Sequence, residues 1–293
     1  MADNRDIDHH SGVETTGHEW DGIKELNNPL PRWWVLVFYA TIVWAIGYWV
    51  ALPAWPMLTD YTKGMLGYSE RAAVNAAVAA DKAAQSKWNE AIAKASLADV
   101  NKSPELLNFS IAVGKAAFAN NCAGCHGRGA QGGPGYPNLN DDNWLWGGTL
   151  DEINQTILYG VRNGSDKARG GGSTAGMPER ASVLKPDQIG DVAEYVLSLS
   201  KRPHDAAAAE RGKAIFSGDG GCTGCHGDDG KGNKDLGSVN LTTGIFQWGG
   251  TKADLVKTIA EGRTGVMPAW GDKLEPETIK ELAVYVHSLG GGQ

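Results

Sequence analysis

The sequence predicts a mainly α protein: one N-terminal transmembrane helix followed by two tandem copies of a small helical domain. Three observations carry this. Residues 33–52 form an uncharged apolar run, the chain beyond residue 100 repeats itself, and the repeats carry almost no strand signal. A length of 293 residues suits about two domains. With 40 glycines, the chain is expected to be rich in loops rather than a plain helical bundle. The net charge is −7 and no basic patch stands out, so nucleic acid is not an expected partner. A mean hydropathy of −0.31 excludes a polytopic membrane protein but leaves room for one span.

That span is Trp33 to Leu52, WWVLVFYATIVWAIGYWVAL. As a helix it covers about 30 Å, the thickness of the hydrocarbon core. Arg32 bounds its start, and Pro53 and Pro56 bound its end. Trp33 and Trp34 at one edge, with Tyr48, Trp49 and Trp55 at the other, match the aromatic belts of a spanning helix. The 32 largely polar residues ahead of it are unlike the short basic start of a signal peptide, so an uncleaved anchor is expected. Within that leading segment, HEWDGI at 18–23 reads as an interfacial piece.

Residues 69–98 are alanine-rich and read as a connecting helix. Ser69 is its cap, and Val74, Val78, Trp88 and Ile92 lie near one face. A second start signal follows at Ser103-Pro104-Glu105. The repeat then begins. Gly114 and Phe118 match Gly212 and Phe216; CAGCH at 122–126 matches CTGCH at 222–226. Trp146-Gly147-Gly148-Thr149 matches Trp248-Gly249-Gly250-Thr251, Met177-Pro178 matches Met267-Pro268, and Tyr195 matches Tyr285. Each copy reads as a first helix, the cysteine motif, a glycine-rich loop, a middle helix, the Met-Pro loop and a final amphipathic helix. Thr149 with Glu152 and Thr251 with Asp254 are expected to cap the middle helices. Residues 200–205 link the copies. Gly114 and Phe118 are expected to face the helix bearing Tyr195, and Gly212 and Phe216 the helix bearing Tyr285. Glycine lets two helix backbones approach closely there.

All four cysteines fall in C-x-x-C-H, the spacing of covalent c-type haem attachment. The thiols of Cys122 and Cys125, and of Cys222 and Cys225, would bond the porphyrin, leaving His126 and His226 as proximal iron ligands. A thioredoxin-like pair needs a βαβ context that is absent here. A shared zinc would not explain the histidine after each second cysteine. Two covalent haem c groups are therefore expected. Met177 and Met267 alone among the five methionines stand in the repeats, which points to both as distal iron ligands. Ligation within one copy is the simpler geometry; exchange of methionines between tightly packed copies is the alternative. The carbonyl of Pro137 is expected to accept the free N–H of His126, with a backbone carbonyl at Val239 serving His226. Trp146 and Trp248 are candidates to bond a haem propionate or to pack on the haem edge. No catalytic residue is assigned. Methionine in both copies argues against the open iron of a di-haem peroxidase.

Both repeats resemble class I cytochrome c folds. The whole chain resembles a narrower family, through HEWDGIKELNNPLPRWW, the helix with TIVWAIGYWV, AWP after it and two CxxCH domains. It is similar to the FixP/CcoP di-haem subunits of cbb3-type cytochrome c oxidases. The resemblance implies haem domains in the periplasm of a Gram-negative bacterium, anchored in its inner membrane with the N-terminus inside. It implies electrons taken from a cytochrome c donor or a quinol–cytochrome c reductase. These would pass through a mono-haem cytochrome c subunit to a catalytic haem–copper subunit that reduces oxygen and moves protons. It also implies that the methionines of some members cross between domains. The alternative is a di-haem carrier anchored for another respiratory complex. On this reading the chain divides into a cytoplasmic segment at 1–32, the transmembrane segment at 33–56, a connector at 57–108, and cytochrome c domains at 109–200 and 201–293.

Overall fold

In the computed structural model the described residues are 6–172 and 176–290. They fall into two compact units, residues 1–84 and 85–293.

The first unit opens with a feature the sequence reading missed. Strands β1 (Thr15–Trp20) and β2 (Ile23–Leu26) form an antiparallel hairpin with Trp20 opposite Ile23. Asp21 and Gly22 both have positive φ, 47° and 83°, as a tight two-residue turn requires. The Asp-Gly pair inside HEWDGI was the signal. Helix α1 (Arg32–Ala51) follows, within one residue of the predicted span, and none of its side chains is buried in the chain.

The second unit holds both repeats. Helix α2 (Glu70–Lys94) is shorter than the expected 69–98, because Ser96 starts a new helix, α3 (Leu97–Lys102), by accepting from Asp99 N. Val74 and Val78 are exposed, and Ile92 is the buried residue of α2. Trp88 stacks on Phe109 of α4 (Pro104–Asn121), with centroids 5.2 Å apart. Ser103 caps α4 as its sequence signal indicates. A four-residue turn of helix, α5 (Ala123–His126), carries the first cysteine motif, and α6 (Leu150–Tyr159) and α7 (Pro186–Leu199) complete the first copy. The second copy repeats the order as α8 (Ala206–Ser217), α9 (Thr223–His226), α10 (Lys252–Glu261) and α11 (Pro276–Ser288). Both middle helices begin with the expected capping boxes, at Thr149–Glu152 and Thr251–Asp254.

How the helices pair overturns one expectation. Gly114 and Phe118 do not face the Tyr195 helix. A Cβ on Gly114 would strike Glu281 O and Tyr285 Cβ of α11, and Phe118 meets Tyr285 at 5.5 Å. Likewise a Cβ on Gly212 would strike the Asp191 carbonyl of α7, and Phe216 meets Tyr195 at 5.2 Å. The two copies have exchanged their final helices. One core joins α3, α4 and α6 to α11, through Val100, Phe118, Ile153, Leu282 and Tyr285. The other joins α8 and α10 to α7, through Phe216, Leu255, Val192 and Tyr195. We call these the first and second bodies. The physical reason is the short link: only residues 200–205 separate α7 from α8, so these consecutive helices fold back on each other. Arg202 fixes that link, donating to Gly244 O and Gly250 O at 2.7 Å each, over the Phe246 ring.

Candidate haem sites

The first cysteine motif follows directly on α4 and the second lies four residues beyond α8; each turns once as helix before a glycine of positive φ, Gly127 or Gly227. The turn sets the second cysteine and the histidine one helical turn after the first cysteine, whose carbonyl accepts from both of their amides. Cys125 and Cys225 are exposed, while Cys122 and Cys222 lie deeper; among the four no disulfide forms. Burial pushes the Cys122 thiol up to about 11 and raises that of Cys222. Among the described residues no three His, Cys, Asp or Glu side chains gather as a metal set, so the two motifs do not converge on a shared zinc.

The histidines are held alike. His126 Nδ1 lies 3.0 Å from Pro137 O, and His226 Nδ1 lies 3.1 Å from Val239 O. A carbonyl only accepts, so each ring carries its proton on Nδ1 and leaves the Nε2 lone pair free. Burial lowers both histidine pKa values, with the carbonyl bond opposing in each case. A neutral imidazole with Nδ1–H bonded to a carbonyl is the state a metal ligand needs. Both expected acceptors are therefore in place. Phe118 and Phe216 stand 6.5 Å and 6.4 Å from the two rings, at the same 44° tilt.

The methionines arrive with the exchanged helices. Met267 packs on the first body's core, which also holds Phe118 and has Cys122 packed on it; Met177 packs on the second, which holds Cys222 and Phe216. Each is clamped by a paired backbone bridge. Met267 N donates to Val161 O at 3.0 Å and Val161 N to Met267 O at 2.9 Å. Met177 and Arg263 repeat this at 2.8 Å and 2.9 Å. Gly160 and Gly262 make room, since a Cβ there would run into the Met267 or Met177 carbonyl respectively. The structure thus groups Cys122, Cys125 and His126 with Met267, and Cys222, Cys225 and His226 with Met177.

Trp146 and Trp248 reach across as well. Trp146 lies where a Cβ on Gly237 would be, in the loop after the second cysteine motif; Trp248 does the same at Gly135, after the first. Arg162 sits over Trp146 and donates to Leu236 O and Gly237 O, while Arg263 sits over Trp248. A residue not singled out from sequence is Trp144. Its Nε1, like Arg169 Nε, is buried with no acceptor in the chain. Unanswered buried donors beside a core holding a free histidine nitrogen fit a bound group with an anionic edge, as haem has in its propionates. Phe246 occupies the matching place in the second copy, so the repeat pattern did not mark Trp144.

Comparison with known proteins identifies the domains that carry these residues. Residues 12–59 match the N-terminal domain of cytochrome oxidase-cbb3, FixP; residues 111–200 match cytochrome c; residues 207–286 match cytochrome C oxidase, cbb3-type, subunit III. The Cbb3-type cytochrome c oxidase subunit FixP of Azorhizobium caulinodans is 54% identical over 98% of this chain and 96% of its own. The chain belongs to the FixP/CcoP family. FixP of Bradyrhizobium sp. (strain ORS 278) is also 54% identical, over the full length of both chains, and CcoP of Azospirillum brasilense is 52% identical over 97% of each. Members of this family are di-haem electron-transfer subunits. This chain has the same two cytochrome c domains, and with them two covalently bound haem c groups.

Proposed function

We propose that the chain relays electrons within a cbb3-type oxidase through two haems whose ligands are contributed crosswise. Cys122, Cys125 and His126 attach and ligate one haem, with Met267 as its distal ligand. Cys222, Cys225 and His226 attach and ligate the other, with Met177. The observation that carries the crosswise reading is the placement of Met267 on the first core and Met177 on the second.

Haem c, when bound, supplies reversible one-electron exchange. The protein's part is preparation. The Pro137 and Val239 carbonyls hold each imidazole in one tautomer and raise the basicity of Nε2. The thioether sulfur of methionine favours ferrous iron and so a high potential. With Met267 and Met177 as ligands, neither iron would offer a site for oxygen chemistry, which would fall to a partner. We assign that partner as the catalytic haem–copper subunit, reached with a mono-haem cytochrome c subunit, and the donor as a soluble or membrane cytochrome c. α1 anchors the chain in the bacterial inner membrane, with the haem domains on the periplasmic side.

A single-haem background tests the crossing. In a Cys122→Ala, Cys125→Ala chain only the haem on the second motif remains. Met177→Ala should then abolish the sulfur-to-iron charge-transfer band of the ferric protein and admit carbon monoxide on reduction, and Met267→Ala should do neither. The reverse pattern would establish ligation within each copy. Carbon monoxide binding before any methionine is changed would favour a peroxidase-like open iron.

A further inference from the structure

The chain just beyond α1 turns back on the helix. Met65 N donates to Val50 O at 2.9 Å and Leu66 N to Ala51 O at 3.0 Å, while Leu52 N closes on Tyr48 O. Carbonyls at a helix C-terminus have no partner within the helix and are usually left to water. Here Met65 and Leu66 supply the donors for two of them. Gly64 makes the approach possible: its φ is +72° and a Cβ would stand 2.5 Å from Ala51 O. Further bonds close within the segment. Met57 N bonds Asp60 O, Thr62 N bonds Trp55 O, and Thr62 Oγ1 accepts from the amides of Ala54 and Trp55. Its two charges, Asp60 and Lys63, pair at 2.8 Å.

Its side chains do the opposite of folding inward. Leu58 and Met65 are exposed to 105% and 83%, and Trp55, Met57, Tyr61, Leu66 and Tyr68 are exposed too. The Trp55 ring meets Trp49 of α1 edge-on at 4.8 Å. An apolar surface this dense, continuous with the end of α1 and with its two charges paired to each other, suits the membrane boundary, where side chains meet acyl chains and free amides meet headgroups and water. The surface continues that of α1, none of whose side chains is buried in the chain, so what surrounds the span also meets this segment. Tryptophan, tyrosine and a lysine on a long stem are also the residues of the membrane–water boundary.

We infer that residues 53–68 form a collar seated in the headgroup–acyl boundary of the leaflet at the C-terminal end of α1, with lipid as its occupant. This rests on α1 spanning the membrane. Met57, Leu58, Met65 and Leu66 enter the acyl region, and the last turn of α1 lies below the headgroups, with its Val50 and Ala51 carbonyls answered by the collar.

The test uses the assembled oxidase in lipid in its air-oxidised state, where oxygen is not consumed, and each collision rate is the change that a reagent adds. A nitroxide is placed by Leu58→Cys, by Met65→Cys, by Val43→Cys within the span, and by Asn75→Cys on exposed α2. Collision with oxygen, which concentrates in acyl chains, is compared with collision with a water-soluble nickel chelate. The collar requires positions 58 and 65 to favour oxygen and to meet the nickel chelate several-fold less often than position 75. Nickel collision equal to that at Asn75 would place the loop in water and overturn the collar. Shielding from both reagents would mean a subunit covers it, which overturns lipid as the occupant. Free nickel access at Val43 would instead defeat the spanning reading, and the collar with it.

Discussion

The two bodies share one plan and differ where their helices cross. In the second, Asp191 of α7 meets a two-pronged partner: Arg211 of α8 donates to its carboxylate at 2.8 Å and 2.7 Å. In the first, the matching acid is Glu281 of α11, and Val113 stands where Arg211 would be. Glu281 is 1% exposed and its Oε1 has no partner; Ser110 Oγ on the facing helix is buried and unanswered as well. The connector explains the difference. Ile92, Leu97 and Val100 roof the first body, and Lys280 of α11 ties the roof down by donating to the carbonyls of Ile92, Ala93 and Ala95. The neighbouring lysine is thus spent on α2, and Glu281 is sealed in without a cation. One crossing is joined by a surface ion pair, the other by burial against a connector.

The largest test of this plan is to cut it. Residues 109–200 expressed alone lack α11 and Met267, so the first core loses its longest packed face. That fragment should fail to give a folded monomer, with near-ultraviolet dichroism lost or sedimentation showing paired chains. A well-folded monomer would break the exchange. Next are the close crossings. Gly114→Val should overpack α4 against α11 and Gly212→Val should overpack α8 against α7, each at about 3 kcal/mol. Hydrogen exchange should quicken in α11 for the first variant and in α7 for the second; the opposite assignment would restore packing within each copy.

Glu281 sharpens the contrast through pH. Burial, with the Glu277 charge adding to it, raises its pKa from 4.5 to about 7. A carboxyl raised on folding keeps a proton that the unfolded chain has released. Its contribution is therefore complete below about pH 4.5 and lost as pH rises through about 7, a change of up to about 3 kcal/mol. Glu281→Gln should flatten that part of the stability profile of the first body, measured by denaturant titration between pH 5 and 8, and raise stability at the alkaline end. An unchanged slope would mean another group carries it. The smallest effect is expected at Arg211→Ala. Its guanidinium is largely exposed, so losing the pair should cost about 1 kcal/mol and less in high salt.

Much of this was legible in the sequence. The uncharged run gave α1 to within a residue, the capping boxes formed as read, and the carbonyls at Pro137 and Val239 meet the histidines. Which copy supplies a contact was not legible. Gly114 is equivalent to Gly212 and Tyr195 to Tyr285, so an exchanged pairing keeps the glycine and aromatic contacts of both crossings and leaves no mark on them. The short 200–205 link was the available clue. The β1–β2 hairpin hid in a single Asp-Gly pair within a polar stretch, and Trp144 hid because its counterpart is Phe246.

The exchange also sets an order of completion. As the chain leaves the ribosome, the second body has all its parts once α10 has emerged, for α7 is already present. The first body, begun with α4 and CAGCH, waits for Met267 and for α11, whose last residue is Ser288. Contacts so distant along the chain carry a loop-closure cost that only late residues can repay. The site that is made first is closed last. Until then its cysteines and histidine stand on an unfinished core, open to whatever delivers and attaches the porphyrin.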